Sequence, residues 1–403
     1  MTEALSWVLT DTANRVYVEQ CAITPASVGL PTAGGGWSVT KSRLQGGLSD
    51  GVDVVDINNG HLSFTVLLSR GMGLWKGVCG DCTIGWDSPA RGPVNPMFVN
   101  LLEQGGLGWL KGFDECIVRC GLNSNGAPGM DRVLDNNGNL SEVMLNLHGY
   151  IANLPAKYVE LKIIPGKRTK IVLVGVVEEA RCFCPQYRLT TTYTTEIGSN
   201  RVDIRDEVEN FADSPVEFQM LYHCNFGPPF LDAGARLVSP SLEVAPRDPR
   251  AAEDIKTWNV YKAPEPGYVE QGNYHDFAAA ADGSTLSMLR NRRGTRGVTM
   301  RWNKKQLPCF CQWKHTAGPS EGYVTGMEPA TNYPNLKTFE RERGRVMTLD
   351  AGQRYVIDLA MEIQETPEQV AAIEAEVAAL LKQKKTVVHP KPIAKWSPCA
   401  QDA

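Results

Sequence analysis

A chain of 403 residues, 42% hydrophobic and 21% charged, is long enough for a sizeable core, and β-sandwiches often run to roughly 250 residues as one unit. A formal net charge of -4 gives no electrostatic reason to expect nucleic acid, whose phosphates are neutralised by clustered Lys and Arg. No stretch approaches the ~20 apolar residues that span a bilayer. These properties imply a small or neutral partner, with no nucleic acid and no membrane involved.

In chain order, the first residues carry Glu3 where a secretory signal would place Lys or Arg, and no apolar run follows. The expectation is a soluble, cytoplasmic protein. Its eleven cysteines, an odd number spread over a long chain, then read as reduced thiols and not as a disulfide framework. Residues 1–50 read as an N-terminal extension with the first strands, 51–363 as one β-sandwich domain, and 364–403 as a C-terminal helix and arm.

Within the central region, Val52–Ile57 and Leu62–Leu68 are apolar runs joined by Asn58-Asn59-Gly60, which is hairpin chemistry. Between Tyr158 and Cys224 the same pattern repeats. Tyr158–Ile164, Thr169–Val177, Tyr187–Ile197, Arg201–Val208 and Val216–Cys224 are separated by Gly-, Asn-, Asp- and Pro-containing turns, which predicts one antiparallel meander. Thr190 to Thr195 is a β-branched and aromatic run that suits a pleated surface.

Pro240 to Pro266 holds five prolines among Asp and Glu and reads as long loops with short strands at most. Ser284–Leu289, Val298–Trp302, Cys309–Trp313 and Tyr323–Gly326 follow as strands. Val346–Leu349 and Arg354–Ile363, joined by Asp350-Ala351-Gly352, read as a closing hairpin. Thr366-Pro367-Glu368-Gln369 has the form of a capping box with Pro at the first helical position, predicting a helix to about Lys385. Val370, Ile373, Val377, Ala378 and Leu381 give it one apolar face for docking. Thr386 to Ala403 reads as an arm. No internal repeat of 20–50 residues is present, which excludes propellers and solenoids.

Three short constellations place polar chemistry in this strand-rich context. Asn146-Leu147-His148-Gly149-Tyr150 sets an imidazole beside a glycine that admits close approach. Alone, a histidine of this kind is more often hydrogen-bonded to a carbonyl in the core. Leu221-Tyr222-His223-Cys224-Asn225 puts His223 and Asn225 on one face of a strand ending at Gly227-Pro228-Pro229. Those two side chains could equally satisfy each other. Gly326-Met327-Glu328-Pro329 sets a carboxylate at the end of an apolar strand, where burial raises a carboxyl pKa toward the range of a general base. A carboxylate capping a loop is the plainer alternative.

Taken together, a His-Gly turn, a strand-borne His with Asn two residues on, and Gly-x-Glu-Pro, in that order, resemble the aldose 1-epimerases and their galactose mutarotase-like relatives. Leu68-Ser69-Arg70-Gly71-Met72-Gly73-Leu74 and Ile84-Gly85-Trp86-Asp87-Ser88-Pro89 resemble early strands of a branch outside the well-characterised galactose mutarotases. Leu147 and Tyr150 around the first histidine, and Tyr222 before the second, depart from the usual mutarotase pattern. The resemblance spans Gly51 to about Ile363 and implies a mainly β fold, a large antiparallel β-supersandwich of the galactose mutarotase-like kind.

Chemically, the resemblance implies an isomerase acting on a small-molecule carbohydrate. Glu328 would take the anomeric hydroxyl proton while His223 donates to the ring oxygen from the opposite side, and His148 would polarise that oxygen. Asn225, Arg70, Trp86 and Trp302 would bind the sugar, the tryptophans by stacking. Neither metal nor other cofactor is needed. Two alternatives stay open: a divalent metal at His148, His223 and Glu328 serving a lyase or isomerase of an oxidised keto sugar, or a non-catalytic sugar-binding module.

Two further features read as structural. Cys79-Gly80-Asp81-Cys82 has zinc-ligand spacing without a matching second pair, so this pair, Cys116/Cys120, Cys182/Cys184 and Cys309/Cys311 read as buried thiols. The Arg290, Arg292, Arg293 and Arg296 run reads as a solvated turn. Substrate identity and oligomeric state are not encoded in these patterns.

Overall fold

The structure is a computed structural model and describes residues 4–30 and 36–402. Two large sheets carry the fold, antiparallel but for one short pair in the C-terminal arm. The first has ten strands, running in space from Arg236–Val238 through Ser284–Arg290, Gly297–Asn303, Arg354–Gln364, Arg201–Asn210, Tyr187–Glu196, Lys170–Glu179 and Tyr158–Ile164 to Leu5–Asp11 and Val16–Tyr17. The second has fourteen. Its central part orders Gln271–Phe277, Cys309–Thr316, Tyr323–Ala330, Val216–Phe226, Ile117–Leu122, Gly73–Cys79, Leu62–Leu67 and Asp53–Asn58. The first fifty residues thus supply strands to both sheets, Leu5–Asp11 to one and Ser38–Arg43 to the other.

The two sheets bury their facing sides against each other. Tyr187–Glu196 alternates buried and half-buried residues along its length, so Leu189 and Tyr193 enter the core with Val202, Ile204 and Val208 while the threonines between them face outward. Val216–Phe226 and Tyr323–Ala330 lack this alternation because both of their faces are covered. Tyr222, Cys224, Phe226 and Met327 join the inter-sheet core. Leu221, Val324 and Ala330 pack on the opposite face with Trp109 and Phe113, and that second face carries the polar site.

A buried ion pair ties the sheets together. Arg119 of the larger sheet contacts Asp206 of the ten-stranded sheet through Nε at 2.5 Å and Nη2 at 3.0 Å. The Tyr222 hydroxyl donates to Asp206 at 2.6 Å, and Arg119 Nη1 donates to the Met72 carbonyl at 2.8 Å. Such a network is stable only because its donors and acceptors are matched.

The predicted strands are present, most within one or two residues, although Cys309–Thr316 and Tyr323–Ala330 run three and four residues beyond the expected ends at Trp313 and Gly326, and the partners differ at two places. Val216–Phe226 does not continue the meander. After the Asn210–Pro215 corner it crosses to the other sheet, where it pairs with Ile117–Leu122 and Tyr323–Ala330. Turn residues mark where a strand ends and say nothing of which sheet receives the next one. Met347–Leu349 likewise pairs with the start of Val216–Phe226, while Arg354–Gln364 pairs with Arg201–Asn210 and Gly297–Asn303, so these two strands make no hairpin. Cys309 and Cys311 are buried on one strand, whereas Cys182 is exposed and Cys184 half-buried in a turn, against the expectation of buried strand thiols.

The helix spans Pro367–Leu381 and begins with the predicted capping box: Thr366 Oγ1 accepts from the Gln369 amide at 3.3 Å, and Gln369 Oε1 accepts from the Thr366 amide at 3.2 Å. Lys382 ends it in the left-handed conformation. Val370, Ile373 and Val377 dock on Leu286 and Met288, each buried aliphatic side chain contributing about 1.5–3 kcal/mol. Among the described residues no helix is long and apolar enough to cross a membrane. The arm folds back, pairing Val387–Val388 in parallel with Ser241–Pro246 and setting the Trp396 ring 5.5 Å from Tyr333.

Candidate active site

Strand register builds the centre of the site. Leu221 lies opposite Ala330 and Cys224 opposite Met327, so His223 on Val216–Phe226 faces Glu328 on Tyr323–Ala330. Cys311, on the next strand, pairs with Glu328 from the other side. His223 Nε2 and Glu328 Oε1 stand 3.2 Å apart, both nearly inaccessible to solvent. Their alignment does not make a hydrogen bond, and Glu328 Oε1 is a buried oxygen with no hydrogen-bond partner. A buried polar atom left this way is costly unless a ligand completes it.

Gly326, on the same strand face as Glu328, explains the Gly-x-Glu spacing. A Cβ there would meet Glu328 Oε1 at 2.5 Å and His223 Cε1 at 3.1 Å, so glycine is what leaves room for the pair. His148 arrives from a different element, the turn after Leu140–Leu145, with φ 59. Its neighbour Gly149 has φ 72, and a Cβ there would strike the Gly121 and Ser124 carbonyls at 2.3 Å. The His148 and His223 ring centroids are 5.6 Å apart.

Neighbouring hydrogen bonds set both imidazole tautomers. Asn225 Nδ2 donates to the Glu115 carbonyl at 2.9 Å and the His223 carbonyl at 3.1 Å, which leaves Oδ1 to accept from His223 Nδ1 at 2.5 Å. Neutral His223 therefore presents its Nε2 lone pair to Glu328. His148 Nδ1 donates to the Asn125 carbonyl at 2.7 Å, so its free ring nitrogen is also an Nε2 lone pair.

Burial governs the charge states. It pulls the His148 pKa down to about 4 against the opposing Asn125 hydrogen bond. It also pulls His223 well below the usual histidine range, aided by His148. Burial pushes Glu328 up to about 8, with the Cys311 contact opposing and the Glu270 charge assisting. At neutral pH these shifts give a protonated carboxyl beside two neutral imidazoles.

These groups open into a cleft of about 460 Å³. Trp109 packs edge-on to His148 at 4.6 Å; Phe113 and Trp313 approach His223 at 4.9 and 5.1 Å. Trp109 Nε1 is buried without a hydrogen-bond partner. Trp313 is fixed by donating Nε1 to Glu270 at 2.6 Å. Burial opposes ionisation of Glu270, but Arg247 and the Trp313 and Arg247 hydrogen bonds outweigh it and hold its pKa below the ordinary value. Arg247, Asn335 and the arm residues Ser397, Pro398 and Cys399 complete the rim.

Of the residues expected in the site, His148, His223 and Glu328 line this cleft, and Asn225 supports His223 from behind. Arg70, Trp86 and Trp302 lie elsewhere. Arg70 is 1% exposed: it pairs with Glu115 at 2.6 Å and donates to the Gly112 and Val94 carbonyls at 2.8 and 2.9 Å. It secures the loop bearing Trp109 and is not part of the cleft lining. Trp86 donates to the Glu115 carbonyl at 3.2 Å and supports Phe113 from outside. Trp302 stacks on Phe310 in the inter-sheet core. The aromatic walls are Trp109, Phe113 and Trp313, which sequence reading missed; alternation along Cys309–Trp313 placed Trp313 on the face of Cys311, the one available signal.

The donor atoms free for a metal here are His148 Nε2, His223 Nε2 and Glu328 Oε1. Among the described residues, however, the metal-type donors that cluster within 4.8 Å are those of His61, Cys79 and Glu365, on a different part of the surface.

A two-sheet antiparallel sandwich with histidines and a carboxylate in a covered cleft defines a galactose mutarotase-like fold. The chain belongs to the family described as a domain of unknown function, DUF4432, whose model matches residues 49–363. A Klebsiella pneumoniae protein, provisionally named an aldose 1-epimerase, is 32% identical over 97% of this chain and 99% of its own, with a TM-score of 0.91. A galactose mutarotase-like protein of Clostridium acetobutylicum (12% identity, 81% and 98% coverage, TM-score 0.54) and galactose 1-epimerase of Lactobacillus acidophilus (10% identity, 81% and 99% coverage, TM-score 0.51) share the fold. No curated protein matches the chain.

Proposed function

We propose that the protein is a carbohydrate isomerase that interconverts the anomers of a small sugar by acid/base ring opening. The observation carrying this reading is the buried, unbonded Glu328 Oε1 set 3.2 Å from His223 Nε2 at the floor of an aromatic cleft. Such walls suit the apolar face of a pyranose, and a protonated carboxyl beside a neutral imidazole suits a hemiacetal.

The anomeric hydroxyl and the ring oxygen are bonded to the same carbon, so adjacent acid and base groups reach both without straddling the ring. At neutral pH the proton rests on Glu328. Sugar hydroxyls entering the cleft favour the charge-separated form, in which the proton has passed to His223. Carboxylate Glu328 then takes the anomeric hydroxyl proton while imidazolium His223 delivers its own to the ring oxygen, and the C1–ring oxygen bond breaks to give the open-chain aldehyde. Rotation about C1–C2 and the reverse transfers close the other anomer. Neutral His148 has only a lone pair to offer, so it accepts from a sugar hydroxyl; a ring oxygen carries no proton to give it. Trp109 Nε1 is the complementary donor.

The test is NMR of the purified protein with a panel of aldoses and keto sugars, following anomer exchange, deuterium entry at C2 and new products together. Anomer exchange that survives a chelator and falls roughly 10²–10⁴-fold in Glu328→Gln, with sugar affinity kept, is the expected result. C2 exchange or an olefin lost with a chelator would replace this reading with metal-assisted chemistry. Sugar binding without any exchange would leave a binding module.

A further inference from the structure

Away from the cleft, three donors of different chemistry converge from three segments. His61 sits in the hairpin turn before Leu62–Leu67, Cys79 ends Gly73–Cys79, and Glu365 follows Arg354–Gln364 immediately before the helix cap. Register explains the first two: Leu62 lies opposite Cys79, so His61 is next to the thiol. Glu365 comes from the ten-stranded sheet. His61 Nε2 and Glu365 Oε2 are 2.6 Å apart, and one ligand atom from each of the three residues lies within 4.8 Å of the others.

The His61 imidazole and the Glu365 carboxylate hydrogen-bond to each other through Nε2 and Oε2, so an ion would enter by replacing that contact. Arg296 is engaged by Asp81 at 2.8 Å and by the Glu365 backbone carbonyl, not by the Glu365 carboxylate. Glycine at position 80 lets the carboxylate lie over the turn, since a Cβ there would come within 2.1 Å of Glu365 Oε1. The Cys79 thiol is buried while the His61 side chain is 38% exposed, which gives an ion a path from solvent to a thiol floor. Cys82, cross-strand partner of Cys79, stands beside the group.

We propose that His61, Cys79 and Glu365 form a structural site for a divalent cation of the zinc class, joining two neighbouring strands of one sheet to the end of a strand in the other. One nitrogen, one sulfur and one carboxylate oxygen are the ligand types zinc prefers, at bond lengths of about 2.0–2.3 Å. A spread below 4.8 Å closes to that geometry by small movements of the exposed imidazole. Coordination converts the thiol to a thiolate and releases its proton to water. The fourth position is left to water. The site does not depend on the sugar reading, because it shares no residue with the cleft.

The test uses the full-length protein, stripped with a chelator and titrated with zinc and, separately, cobalt(II). One equivalent of zinc per chain, a rise in melting temperature of roughly 3–6 °C at saturation, and a thiolate-to-cobalt charge-transfer band are expected. His61→Ala, a change at an exposed side chain, and Cys79→Ala should each abolish all three, while His148→Ala keeps them and His61→Ala keeps any anomer exchange. No stoichiometric zinc, or zinc retained in both His61→Ala and Cys79→Ala, overturns the proposal. Zinc lost only on changing His148 or His223 overturns it too, and would place the metal in the cleft.

Discussion

The Val216–Phe226 strand holds two buried polar groups side by side, and their surroundings treat them differently. Tyr222 faces the inter-sheet core, where Arg119, Asp206 and Tyr193 leave none of their polar side-chain atoms without a partner. His223 faces the cleft, where Glu328 Oε1 and Trp109 Nε1 remain unbonded. A completed network fixes structure, whereas an incomplete one retains polar capacity for something that enters. The contrast therefore separates a structural cluster from a candidate catalytic one within a single strand.

The largest effect should come from the completed side. Arg119→Met strands the Asp206 carboxylate in the core and should cost about 3–5 kcal/mol of stability, measured by urea unfolding, with turnover of the remaining folded protein unchanged. A variant that stayed stable but lost turnover would erase the contrast. On the cleft side, Gly326→Ala pushes a methyl into the Glu328–His223 pair and should lower kcat roughly 10–100-fold through misplacement. Its melting temperature should fall by only roughly a few degrees, because the methyl crowds buried Glu328, His223 and Trp313 at an overpacking cost of about 1–3 kcal/mol, whereas Gly326 itself does not need a positive φ.

Next is the pH dependence of stability. Glu328, with its pKa raised to about 8, binds a proton in the folded state that the unfolded chain has released above about 4.5. Its contribution is complete below that value and is lost as pH rises through about 8, at roughly 1.4 kcal/mol per pH unit. His148 and His223 act oppositely: their depressed pKa values give stability that is present above 6.5 and lost as pH falls. Between pH 6.5 and 8 Glu328 acts alone of the three, so Glu328→Gln should gain in melting temperature over the parent protein across that window; a constant difference would contradict a buried, protonated Glu328. Smallest is Trp109→Phe, which keeps an aromatic wall and removes the free donor. It should raise KM several-fold, roughly 1 kcal/mol, with kcat largely kept, and equal KM values would take Trp109 out of sugar binding.

Local sequence already marked much of this. Alternation and turn residues placed most strands, Thr366 to Gln369 marked the helix start, and the Gly-x-Glu and His-x-Asn spacings picked out Glu328, His223 and Asn225. These signals are readable because side-chain direction in a strand and a capping hydrogen bond depend on residues a few positions apart. Arg70 shows where such reading ends: an arginine near a glycine-rich turn looks available for a ligand until Glu115, Val94 and Gly112 arrive from elsewhere to occupy it.

The amino-acid sequence by itself determined the strand-rich character, the capped helix and the polar residues able to do acid/base chemistry, since each follows from short-range sterics and hydrogen bonding. Only the tertiary structure decided that Val216–Phe226 changes sheets, that His223 registers against Glu328, that Trp109 and Trp313 wall the cleft in place of Trp86 and Trp302, and that Glu365 reaches His61 and Cys79. The physical reason is that partner choice and burial are set by pairing between distant segments, and burial in turn sets which polar groups are satisfied and which keep a shifted pKa.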